Sequence, residues 1–113
     1  MERRILHGLS LEWESACDIL ADHNRSLMKK PLFSLGDMER KLGEWLAARH
    51  EIRLSRSFAL NHPWDSVCEV LKHEMAHQLA YRLLHGRKET PHGPVFQKAC
   101  DLLRADPRAS GGY

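Results

Sequence analysis

The chain has 113 residues, of which 42% are apolar and 28% charged, with a formal net charge of +2. This size suits a single domain with one core and one site, and the composition is that of an ordinary globular protein. The mild charge, the absence of a long apolar run after Met1-Glu2-Arg3-Arg4, and three scattered cysteines (Cys17, Cys68, Cys100) with no CxxC pair argue against a strongly basic nucleic-acid module, a secretory or membrane-spanning segment, a disulfide framework and a zinc ribbon.

In chain order, Ser10 reads as a helix N-cap. The near-helical recurrence of Leu11, Trp13, Ala16, Cys17, Ile19 and Leu20 predicts a first helix over about 10–24, stopped at Asn24. Lys30-Pro31 breaks the pattern, and Leu32-Phe33-Ser34-Leu35 before Gly36-Asp37 suits a short strand. Residues Lys41 to His50 fit helix or strand equally. Glu51-Ile52-Arg53-Leu54-Ser55 alternates cleanly, and Phe58 and Leu60 continue its parity.

Asn61-His62-Pro63 then opens a second helix, with Asp65 in its first turn and an apolar stripe of Val67, Leu71, Met75, Leu79 and Leu83. It should run to about Leu84 and stop at a left-handed Gly86. After a loop, Pro94 starts a third helix with Val95, Phe96, Ala99, Cys100, Leu102 and Leu103 inward, ended by Pro107. A loose tail is expected from about residue 106.

The second helix carries His73-Glu74-Met75-Ala76-His77. Residues four apart share a helix face, so His73 and His77 can reach one ion. Glu74 is turned about 100° from His73 and can hydrogen-bond a water on that ion without binding it. Two imidazoles holding zinc beside a carboxylate that takes a proton from water is the chemistry of HExxH.

A catalytic zinc wants a third protein ligand. His85, eight residues past His77, lies roughly 12 Å along a continuous helix, too far for one ion. His92 follows the Gly86 break and sits in a tight turn of Pro91, Gly93 and Pro94; Glu89 and Asp101 are carboxylate alternatives. Nothing points to His7, His23, His50 or His62, which are expected on the surface. Tyr81, one turn after His77, is a candidate for steadying an oxyanion; packing on the third helix is its simpler role.

The HExxH segment, followed by His92-Gly93-Pro94-Val95-Phe96 beginning fifteen residues after His77, resembles the SprT-like metallopeptidase domain, with Ile52-Arg53-Leu54-Ser55 similar to the strand before its helix. The similarity spans about residues 10–104, so residues 1–113 are read as one such domain. The resemblance implies an α+β fold: a small zincin-like domain with an N-terminal helix, a short antiparallel sheet of about three strands, the HExxH helix and a C-terminal helix. It implies one zinc on His73, His77 and His92, Glu74 as general base, and a protein or peptide substrate paired along an edge strand near Ile52 to Ser55.

Larger SprT-like proteins, including the Spartan proteases that cut proteins crosslinked to DNA, carry further DNA-binding parts, and many bacterial relatives add a cysteine zinc ribbon. This sequence has no such cysteines, and its basic pairs Arg3-Arg4, Lys29-Lys30 and Arg87-Lys88 are short and scattered, so its residues do not support DNA as a partner. A reducing cytoplasm is expected. Two rival readings stand beside the peptidase: a zinc hydrolase of a non-peptide substrate, and a non-catalytic zinc-binding interaction domain.

Overall fold

The computed structural model describes residues 1–109. The order is α1 (Glu2–Cys17), α2 (Asp22–Arg25), β1 (Leu32–Gly36), β2 (Gly43–Leu46), a 3-10 turn (Ala47–Arg49), β3 (Glu51–Ser55), α3 (Arg56–Asn61), α4 (Trp64–Leu83) and α5 (Pro94–Leu103). The fold is α+β as expected, and the loop-spaced strands form one three-stranded sheet.

The first helix begins and ends earlier than its capping signal suggests. Ile5, Leu9, Trp13 and Cys17 recur every four residues and are all buried, so the apolar stripe extends upstream of Ser10 and tertiary packing overrides the local cap. Ile19, expected inward, is 45% exposed, beyond the last turn of α1.

The sheet is mixed rather than antiparallel. β3 lies between the others: it pairs parallel with β1, Leu32 opposite Glu51 through Gly36 opposite Ser55, and antiparallel with β2, Gly43 opposite Leu54. Each short connection reverses the chain, so the first and third strands point the same way; insertion of β3 between its predecessors makes them parallel neighbours. Ile52–Ser55 is therefore not an edge. Its two sides are occupied, and the outer edge nearer α4 belongs to β2.

The ambiguous Lys41–His50 stretch resolves as this strand and a turn, closed by a left-handed His50 (φ 48). The parity that runs on to Phe58 and Leu60 is not strand: Ser55 Oγ accepts the Phe58 N–H at 3.2 Å and caps α3.

α4 is the central element. It packs against α1, α5, β2 and β3, so its middle is buried almost all round rather than along one stripe: Val70, Leu71, Met75, Ala76 and Leu79 are at most 1% exposed. Gly43 lets β2 approach this helix. A Cβ there would lie 2.8 Å from Leu54 Cδ2 and 3.1 Å from both Val70 Cγ1 and Glu74 Cγ, closer than packed carbons tolerate. Gly86 takes the left-handed turn expected of it (φ 78). Among the described residues no helix is long and apolar enough to cross a membrane. All three cysteines are free thiols, and burial pushes Cys17 up to about 11 and Cys68 and Cys100 up to about 12, which keeps them protonated and unreactive at neutral pH.

Candidate metal centre

Three polar side chains of α4 are buried: His73, Glu74 and Gln78. Burial of such groups is costly unless they are bonded or used. Gln78 is accounted for by structure. Its Oε1 accepts the Trp13 indole N–H at 3.0 Å, and its Nε2 donates to the Lys29 carbonyl at 2.8 Å, tying α4 to α1 and to the chain before β1. His73 and Glu74 belong to a different cluster.

His73 and His77 project from one face of α4, their ring centroids 5.0 Å apart. After the turn at Gly86 the chain returns and places His92 beside both, 5.2 Å from His73 and 5.1 Å from His77. The three rings form a nearly equilateral triangle, and one nitrogen from each lies within 4.8 Å of the others, a group able to hold a metal ion. Phe96, on the first turn of α5, packs against all three at 5.1, 4.3 and 4.7 Å and stacks on His77.

Electrostatics suits this purpose. Burial lowers the pKa of His73, and burial together with the neighbouring His73 and His92 pulls His77 down to about 3. Both are therefore neutral at pH 7, the form that ligates a metal. His73 Nδ1 lies 3.3 Å from the Asp106 carbonyl. A carbonyl only accepts, so Nδ1 carries the hydrogen and Nε2 presents its lone pair, the usual arrangement behind a ligating histidine. The segment read as a loose tail thus begins with an ordered contact: Arg104 turns left-handed after α5 (φ 55) and Asp106 reaches back to the site. Ser110 to Tyr113 lie outside the described residues.

The donor set fits zinc: among the described residues the group holds three imidazoles and no fourth protein donor, the pattern of a catalytic rather than a closed structural site. The group contains none of the carboxylate alternatives. Glu89 points its carboxylate at the start of α5, and Asp101 is exposed on that helix. His85 is left-handed (φ 54) and exposed, in a depression with Arg82 and Gly86. His7, His23 and His62 are exposed and His50 half-buried, so the first three stand as expected.

Beside the triangle opens a cleft of about 300 Å³ whose lining includes Glu74, His77, His92, Tyr81, Glu44 and Trp45. Glu74, 1% exposed, thus faces the same space as two of the histidines. Tyr81 packs edge-on to Trp45 of β2, centroids 6.2 Å apart, and flanks the cleft. Trp45 and the Asp106 carbonyl escape a sequence reading: the first lies in the ambiguous stretch, and a backbone carbonyl has no sequence signature. Phe96 ends the family-like segment His92–Phe96, but the packing of its ring on all three histidines is visible only in the structure.

A model of the SprT-like family matches residues 18–109. No match was found among curated proteins or among solved structures.

Proposed function

The chain belongs to the SprT-like family, and from that premise we propose that it is a zinc-dependent metallopeptidase in which His73, His77 and His92 hold one zinc ion and Glu74 is the general base. The observation that carries this reading is the convergence of three imidazoles from α4 and the loop before α5, beside a cleft lined by His77, His92 and a buried glutamate. A purely structural site has no use for that glutamate.

When bound, zinc supplies Lewis acidity, which makes a water easier to deprotonate and a carbonyl easier to attack. Glu74 would take up the proton of an attacking water and pass it to the leaving amine. The outer edge of β2, Gly43–Leu46, borders the same cleft through Glu44 and Trp45. An extended peptide pairing there by backbone hydrogen bonds would cross in front of the histidines. β2, rather than the central β3, takes the substrate-pairing role that the family resemblance implied.

The test is Glu74→Gln in the full chain. It should retain about one zinc per chain while cleavage of an unfolded protein falls by about 10²–10⁴-fold, assayed with and without single-stranded DNA. Unchanged cleavage would remove Glu74 as the base. Absence of cleavage by the zinc-loaded wild type in both assays would remove the peptidase reading in favour of another hydrolytic substrate or a binding role. Cleavage only with DNA present would make DNA an activating partner.

A further inference from the structure

We propose that Glu89 is a positioning residue of the metal centre, its carboxylate setting the turn that carries His92 and the Phe96 ring on which all three histidines pack. The proposal rests on the reading of those histidines as metal ligands.

α5 begins with Gly93 at its N-cap, a residue with no side chain to satisfy the first N–H groups of the helix. Glu89 supplies what is missing. One oxygen accepts the Val95 N–H at 3.1 Å and the other accepts the Phe96 N–H at 2.9 Å. A carboxylate at a helix N-terminus also complements the helix dipole. Both bonds span the turn, so the carboxylate closes residues 89–96 into a ring around itself. The turn is packed against that group: a Cβ on Gly93 would lie 2.7 Å from Glu89 Oε1 and 2.9 Å from the Thr90 carbonyl.

His92 sits inside this ring in a left-handed conformation (φ 57), which is strained for a residue with a Cβ. Such a conformation persists only where its surroundings over-determine it. The surroundings are Glu89 on one side and Gln97 on the other, whose Nε2 donates to the His92 carbonyl at 3.2 Å. The second route runs through Phe96. Glu89 holds its backbone N–H, and its ring, 1% exposed, touches His73, His77 and His92. Releasing the carboxylate frees the backbone of the third ligand and the apolar support of all three.

The experiment compares Glu89→Ala, Glu89→Gln and Ser55→Ala in the full chain. Zinc affinity is read by competition with a chromophoric chelator and ligand geometry by the visible absorption of the cobalt(II)-loaded protein. Glu89→Ala should bind zinc about 10- to 100-fold more weakly and alter the cobalt spectrum. Glu89→Gln, which keeps one good acceptor, should lose less. Ser55→Ala, which removes the cap of α3 away from the site, should lower thermal stability without changing either readout.

Zinc affinity of Glu89→Ala within about twofold of wild type, with an unchanged cobalt spectrum, would reduce Glu89 to a helix cap and overturn the proposal. If that variant does not fold, Glu89→Gln decides in the same way. Wild-type protein that binds neither ion would overturn this proposal and the peptidase reading together. Zinc binding by the wild type that is unaffected by Glu89 substitution would overturn this proposal alone.

Discussion

The proposed metal centre is assembled from two regions built on different principles. α4 delivers His73 and His77 by helical spacing alone, on a helix whose middle is buried against α1, α5 and the sheet. The segment from Leu84 to Phe96 delivers His92 through a mostly exposed loop containing three left-handed residues, His85, Gly86 and His92. Hydrophobic packing holds the first; a few polar contacts around Glu89, Thr90 and Gln97 hold the second. Two of the proposed ligands are thus fixed by the core, while the third is held by local bonds that a metal would reinforce.

The largest consequence concerns metal-free protein. Amides in the middle of α4, such as those of Met75 and Leu79, should exchange only through near-global unfolding, whereas those of Arg87 to His92 should exchange through local opening. A gap of roughly 3 kcal/mol or more corresponds to at least about 10²-fold in exchange rate. Adding zinc should slow the loop much more than α4, and a chelator should reverse the change. Hydrogen exchange read by mass spectrometry checks this. Equal protection of loop and helix without metal would break the comparison.

The same division explains what a sequence reading reaches. α4, its HExxH face and its Gly86 stop follow from short-range periodicity, and α5 from Pro94 and its apolar spacing. Those signals lie within one element, where physics is local. His92 could be singled out from its turn residues but not separated from Glu89 or Asp101 without the family pattern, because a third ligand is defined by where a loop returns. The start of α1 was hidden by Ser10, a good cap residue that packing overrides. The position of β3 inside the sheet was hidden because strand order depends on long-range pairing. The roles of Phe96 and Glu89 depend on contacts between elements and on backbone N–H groups, which carry no residue code.

A middling effect is expected where α4 is anchored. Gln78→Met leaves the buried Trp13 N–H and the Lys29 carbonyl without their partner, which should cost about 1–3 kcal/mol in chemical denaturation. Zinc affinity measured far below the melting temperature should hardly move, although Gln78 is adjacent to His77, because the ligand face of the helix is set by its backbone. A large fall in affinity without unfolding would show that α4 is less rigid a platform than its burial implies.

The smallest effect isolates the backbone of the third ligand. His92→Gly and His92→Ala both remove the imidazole and should both abolish tight zinc binding. They differ in what they do to φ 57. Alanine keeps the left-handed penalty of about 1–2 kcal/mol. Glycine removes it but raises the entropy of the unfolded chain, worth about 0.4–1 kcal/mol in the opposite direction. Metal-free His92→Gly should therefore be more stable than His92→Ala by on the order of 0.5–1 kcal/mol, measured by denaturant titration of both. Equal stabilities would mean that the turn relaxes once the imidazole is gone, so that the side chain's packing on Phe96, rather than the ring of bonds around Glu89, holds His92 left-handed.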